Sequence, residues 1–355
     1  MKILQVITDT DRRGAQVFAT DLGAAMTTAG HTVETVALAP GQQSPRLDVG
    51  ILGERQRGLA TLRALRRKMA EVDVTIAHGS STGLACAVAG GGRRRPFVYR
   101  QISDPRFWAG SWPRRLRVAL YLRRARAIVA LSAGAKQDLV DHYRLRPGFI
   151  TVVPNGVPVG AFHEPDDAER LQARTELGLD ATGFVALYIG ALVPEKGADV
   201  AIDAVRDMTD MTLVIAGGGP ERTALESLAA RTQADVHFVG VLSDPFPAYA
   251  ASDVVLLPSR GGDSMPATLI EAGFCGLPTI ATPIGSITDV VLDGSTGIVV
   301  PPGDAHALAA AMRRLAADPA LRDAMSTSAR QHCLQNFEIS VVAAGWLAVL
   351  ERQLA

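Results

Sequence analysis

Apolar and polar positions along the chain follow two alternating rhythms. Short continuous apolar runs read as strands: KILQVI (2–7), TVETVAL (32–38), VTIAHG (74–79), PFVYR (96–100) and AIVAL (127–131). The second half repeats them as GFVALYIG (183–190), TLVIAGGG (212–219), VHFVG (236–240), DVVLLP (253–258) and TIAT (279–282). Between them lie stretches with helical spacing, such as AQVFATDLGAAMTTAG (15–30), GADVAIDAVRDM (197–208) and ERTALESLAART (221–232). Strands apolar on both faces, alternating with helices, predict parallel sheets covered on both sides. The pattern occurs twice, so the expected fold is α/β with two doubly wound domains facing a cleft. The Pro- and Gly-rich stretch VVPNGVPVGAF (152–162) is the expected boundary.

In such sheets, ligands sit beyond the carboxyl ends of the strands, and that edge selects the motifs worth weighing. After the first strand, DRRGAQ (11–16) brings Gly14 to a helix start, where the backbone can approach an anion. Asp9-Thr10-Asp11 imitates a metal-binding carboxylate pair, but the end of a first strand is the wrong context for one. His78 ends a strand and is either a cleft residue or a structural one. Lys196 precedes Gly197 at a helix start, placed to neutralise a phosphate or simply to face water. The three glycines 217–219 invite a dinucleotide reading that fails, because Arg222 stands where the last glycine belongs. In GGDSMPATLIEAG (261–273), Ser264 to Pro266 should turn and Ala267 to Phe274 should form a helix. Asp263 then sits at the helix entrance and Glu271 more than a turn inside it. A carboxylate in an apolar helix is costly unless it faces water or a polar partner, and Glu271 suits a pair of hydroxyls.

Composition changes this picture in three ways. The 355 residues, 48% apolar, are enough for two cores. The three cysteines, Cys86, Cys275 and Cys333, are widely spaced, which argues against a disulfide framework or a zinc site and suits a reducing cytoplasm. The N-terminus does not read as a signal peptide, and no apolar run is long enough to span a bilayer. The net charge of zero hides a split: residues 1–153 hold 24 Lys and Arg against 11 Asp and Glu, and residues 154–355 hold 12 against 25. The halves either complement each other or serve different partners, an anionic one for the first. The segment 111–132 concentrates six arginines, with Trp108 and Trp112 near its start. It reads as a helix that lies on an anionic membrane surface or is solvated.

Taken in order, VVPNGVPVGAF, YIGALVPEKGADVAIDAV, LVIAGGGPERTAL, VHFVG, ASDVVLLPS, GGDSMPATLIEAGFCGLPTIATPIG and DGSTGIVVPPGDAHALAAAM resemble the retaining glycosyltransferases of family 4, which have the GT-B fold. The resemblance spans almost the whole chain and is strongest over residues 152–312. It implies two Rossmann-like domains: an acceptor-binding one over 1–153, with a helix at about 338–355 packing back on it, and a donor-binding one over 154–337. By position, Glu271 holds the ribose hydroxyls of a nucleotide sugar and Asp263 lies near the transferred sugar. Ser264, Met265 and Pro266 line sugar or phosphate, although Pro266 has no N–H to offer. Lys196 binds the diphosphate, Gly14 belongs to a loop that closes on the donor, His78 contacts the sugar, and Val241 offers backbone groups to the base. His78, Asp263 and Lys196 are the residues expected at the reaction centre. No metal and no cofactor beyond the donor substrate is implied, and no nucleic acid partner.

Three positions depart from the family pattern. Asp263 replaces a glutamate, Ala191 replaces an arginine that would share the diphosphate with Lys196, and VYRQISDP lacks a histidine. Arg13 or Arg100 is a candidate to replace the lost cation. The resemblance implies transfer with retention to an acceptor sugar, lipid or small molecule, in the cytoplasm or peripherally at the inner face of a membrane. An epimerase or phosphorylase on the same fold, or an inactive binding protein, remains an alternative.

Overall fold

The computed structural model describes residues 1–42, 46–91, 95–102 and 112–354; Trp108 and the last three residues of VYRQISDP lie outside them. The chain divides into two compact units, Met1–Val157 with Phe337–Ala355, and Pro158–Asn336.

Unit 1 is built on a seven-stranded parallel sheet: β1 (Lys2–Ile7), β2 (Thr32–Ala37), β3 (Gly50–Ile51), β4 (Val74–His78), β5 (Phe97–Arg100), β6 (Ala127–Ala130) and β7 (Ile150–Val152), in the order β3-β2-β1-β4-β5-β6-β7. Its inner strands β1, β4, β5 and β6 are buried nearly along their length because helices cover both faces, whereas β2 is half-buried and the edge strand β3 exposed. The helices Leu59–Lys68, Ser80–Ala89 and Trp112–Arg124 contribute to one core, through Leu65, Cys86, Val118 and Leu122. Helix Gly14–Thr28 and the C-terminal helix Ile339–Leu354 contribute to the other, where Phe18, Leu22 and Met26 lie with Val342, Trp346 and Leu350. Trp346 is fully buried, and truncation of such an indole to alanine costs about 3–5 kcal/mol.

The division between units falls after Val157, not after Val153, and there is a local reason. Arg100 donates to Asn155 Oδ1 at 2.5 Å, and a Cβ on Gly156 would lie 2.9 Å from Val342. Val157 is stitched to the returning chain, its N–H donating to Phe337 O (2.9 Å) and its carbonyl accepting from Ile339 N (3.1 Å).

Unit 2 carries a six-stranded parallel sheet: β8 (Phe184–Ile189), β9 (Met211–Ala216), β10 (Asp235–Gly240), β11 (Val254–Leu257), β12 (Thr279–Ala281) and β13 (Gly297–Val299), in the order β10-β9-β8-β11-β12-β13. Helix Asp167–Glu176 starts with a capping box between Asp166 and Glu169. Its Arg170 and Arg174 hold the two oxygens of Asp253, just before β11, at 2.6 and 3.0 Å.

Each sheet reverses its strand order once, between β1 and β4 and between β8 and β11. A switch of this kind opens a crevice at the carboxyl ends of the two strands. Lys196 and Asp263 follow β8 and β11, and His78 ends β4.

Candidate functional site

In unit 2 the loops after β8 and β11 are pressed together by a glycine. Gly197 has φ +70°, and a Cβ there would lie 2.2 Å from Pro258 O, so no other residue fits without moving the backbone. This fixes the turn Pro194–Lys196 beside the segment 258–263. The Lys196 ammonium forms an ion pair with Asp263 Oδ1, and the Ser259 hydroxyl donates to Asp263 Oδ2. Asp263 is almost fully covered, whereas the Lys196 side chain keeps 24% of its surface exposed and can be reached from solvent. Gly285 (φ +60°) closes on the same turn, with room for no Cβ against Asp263 O at 2.2 Å.

The helix expected from the sequence runs from Ala267 to Phe274, led by Pro266. Glu271 is half-buried within it, and the Tyr249 hydroxyl donates to its Oε2 at 2.7 Å. Burial first, and the Glu271 charge second, push the Tyr249 phenol well above its usual range, so it remains a protonated donor. This explains the acid in an apolar helix: one oxygen has a buried partner on helix Phe246–Ala250. Met265 is buried and Ser264 and Pro266 are half-buried along the same turn. Val241 is 80% exposed past the end of β10, next to the glycine loop, where Gly217 N–H donates to Gly240 O at 2.7 Å. Arg260 lies by the Lys196 turn, with its guanidinium forked onto Asp199 at 2.7 and 2.8 Å and on Pro194 O at 3.2 Å.

Unit 1 presents a different arrangement at its switch. His78 is buried, and its Nε2 lies 2.9 Å from Gln5 Oε1 while its Nδ1 lies 3.2 Å from Arg100 Nη1. Gln5 donates from Nε2 to Ala19 O at 2.7 Å, which leaves Oε1 as an acceptor. The proton of His78 therefore sits on Nε2, and Nδ1 accepts from Arg100. Burial, reinforced by the Arg100 charge, holds the imidazole well below its usual range, so it is neutral. Gly14, by contrast, is exposed and a Cβ there would meet nothing within 4 Å. No packing within unit 1 demands a glycine at that helix start.

Arg100 is 1% exposed, engaged by His78 and Asn155 and lying 3.8 Å from the centroid of Phe18. Desolvation pulls it down to about 9, which leaves it charged at neutral pH. It is sealed in the core and does not stand in for the cation lost at Ala191. Arg13 is half-exposed and doubly bonded to Asp9, at 2.6 and 2.5 Å, and Gln16 also reaches Asp9. Asp9 is thus taken up by its own loop.

Sequence reasoning missed Gln5, Asn155, Tyr249, Ser259 and Arg260. Tyr249 and Gln5 meet their partners across 22 and 73 residues, so no local spacing announces them. Ser259 had a signal, as the last residue of ASDVVLLPS, four residues before Asp263.

Comparison with known proteins agrees with this architecture. Residues 12–160 match the family model for Glycosyltransferase Family 4, and residues 169–332 match that for Glycosyl transferases group 1. The chain is 34% identical over 242 residues to a D-inositol 3-phosphate glycosyltransferase of Jonesia denitrificans, covering 64% of this chain and 57% of that one. It is 30% identical over 266 residues to the alpha-D-kanosaminyltransferase of Streptomyces kanamyceticus, covering 72% and 66%. The chain spans about half the length of several curated relatives it matches. The crystal structure of HepE from Anabaena in complex with UDP superposes with a TM-score of 0.88 at 21% identity, covering 99% of this chain and 100% of that one. With both halves matched in order and both sheets in place, the chain belongs to the family 4 (group 1) glycosyltransferases of the GT-B fold.

Proposed function

We propose that the protein transfers a sugar from a nucleotide-diphosphate sugar to an acceptor hydroxyl, with retention of anomeric configuration and without a metal ion. The observation that carries this reading is the Lys196–Asp263 pair at the switch of unit 2, joined from the loops after β8 and β11, with Glu271 in the helix that follows the second loop. Glu271, with one oxygen steadied by Tyr249, accepts from the two ribose hydroxyls. Lys196 exchanges Asp263 for the donor diphosphate, and Asp263, released, accepts from a hydroxyl of the sugar. Ser264, Met265 and Pro266 line the same turn, and Val241 flanks the base. The glycosidic bond to phosphate lengthens toward an oxocarbenium-like state while the Lys196 ammonium takes up charge on the leaving diphosphate. The acceptor oxygen bonds to the anomeric carbon on the same face, and its proton passes to the departing phosphate oxygen. Unit 1 serves the acceptor, and Gly14, at its open helix start, belongs to the loop that closes on the donor. His78, buried with both ring nitrogens taken up by Gln5 and Arg100, is scaffold here and not the expected sugar contact.

Ala191 favours a second reading. With one family cation missing and Lys196 already paired, the protein would bind a nucleotide without transferring sugar. Thermal unfolding with UDP, GDP and ADP separates the two when followed by product analysis with the matching sugars. A ligand at about a hundred times its dissociation constant adds roughly 2.7 kcal/mol. Stabilisation by one nucleotide, lost in Glu271→Ala, together with an α-linked product, supports transfer. Stabilisation without product supports the binding protein, and no stabilisation rejects the donor site.

A further inference from the structure

Helices Leu59–Lys68, Ser80–Ala89 and Trp112–Arg124 pack in that order, each on the next, over one face of the unit 1 sheet. Their outward side is unlike the rest of the molecule. Twelve large apolar side chains are exposed among the described residues, and five of them, Leu59, Val88, Trp112, Leu116 and Leu120, belong to these three helices. Trp112, Leu116 and Leu120 are 76%, 61% and 41% exposed and repeat every four residues, forming one outward stripe. The inward face of the same helix is separate, made of Val118, Tyr121 and Leu122. Arg115, Arg117, Arg123 and Arg124 are exposed around the stripe. Arg63, Arg66, Arg67 and Arg95 line a depression beside helix Leu59–Lys68, together with Glu71. None of the three helices contains an aspartate or glutamate.

An apolar stripe edged by arginines, without intervening acids, matches a surface that is negatively charged outside and apolar just beneath. We propose that this three-helix face seats the protein on an anionic lipid bilayer, with Trp112, Leu116 and Leu120 entering the interface and the arginines meeting lipid phosphates. A second protein copy would bring the same positive charge to the contact and is disfavoured by repulsion. The binding needs neither nucleotide nor turnover, so it stands apart from the transfer reaction.

The test uses the full chain with phosphatidylcholine vesicles and with phosphatidylcholine vesicles containing phosphatidylglycerol, read by co-sedimentation and tryptophan emission. The expected result is binding to the anionic vesicles alone, with a blue-shifted emission and release as salt rises. R117E/R123E should weaken partitioning by at least about 25-fold, taking roughly fivefold for each charge lost. L116N/L120N should keep a salt-sensitive attraction and lose the blue shift. All four side chains are exposed, so both variants should melt with the wild type. Equal binding to neutral vesicles, or no binding at low salt, overturns the proposal. A concentration-dependent dimer that L116N/L120N dissociates, with no vesicle binding, also overturns it and assigns the stripe to a second copy.

Discussion

The two switch regions use the same kinds of side chain to opposite ends. In unit 1, the buried Gln5, His78 and Arg100 form a chain closed by the half-buried Asn155, in which a charged guanidinium is met by neutral partners and has no partner on its Nε among the described residues. In unit 2, Lys196 and Asp263 are opposite charges at a half-open turn, and Glu271 has one oxygen held by a buried phenol. A sealed network cannot exchange partners without unfolding around it, because each buried group left unmatched costs about 1–3 kcal/mol. A lysine in contact with water can exchange a carboxylate for a phosphate, with the Ser259 hydroxyl still donating to the carboxylate it leaves. The first arrangement therefore reads as scaffold and the second as site.

The largest expected effect sharpens the unit 2 side. Lys196→Ala should lower the transfer rate by about 10²–10³, the usual loss for one preorganised charge-stabilising group, and Lys196→Arg should restore part of it. Steady-state rates with the matched donor decide this, and an unimpaired Lys196→Ala would remove the ammonium from the mechanism. Next, Glu271→Gln should weaken nucleotide binding by about 10–100-fold, as expected for hydrogen bonds to a charged group. Tyr249→Phe should give a smaller loss by freeing the carboxylate. Calorimetric titration measures both, and equal losses would mean that the phenol, not the acid, sets the site.

On the unit 1 side, Asn155→Ala should destabilise the fold by about 1–3 kcal/mol by removing the acceptor of Arg100 Nη2. Denaturant unfolding reads this, and nucleotide affinity should be unchanged. A change in affinity without a change in stability would break the division drawn here. The pH dependence is subtler. His78 is held neutral in the folded chain, so the unfolded chain binds the extra proton first as pH falls. Its contribution is complete above about 6.5 and should be lost below it, by at most about 1.4 kcal/mol per pH unit. His78→Gln should flatten that slope in melts between neutral and acid pH. The smallest expected effect is none: EDTA should leave the transfer rate unchanged, and loss of rate restored by a divalent cation would refute metal independence.

Most strands were legible because each is a continuous apolar run closed by a turn residue. The helix Ala267–Phe274 was readable to its ends from the proline before it and the apolar spacing within it. The strands β3, β7 and β13, of two or three residues, carry too little pattern to stand out from a loop. In the site, Lys196, Asp263 and Glu271 were visible from their motifs, but not the ion pair that joins the first two across 67 residues. Arg100 shows the opposite failure. A strand-end arginine reads as a cleft cation, and only packing reveals that Phe18 and Asn155 enclose it.

The sequence by itself determined the two-layered alternation, the charge split and the order of the motifs, since these follow from short-range periodicity and composition. Only the tertiary structure decided which polar groups face each other. Tyr249 meets Glu271 by helix packing, whereas Gln5 meets His78 because β1 lies beside β4, and Asn155 reaches Arg100 from beyond β7. Burial makes an unmatched donor costly, so most of these groups find an acceptor whatever their place in the chain, Arg100 Nε being an exception.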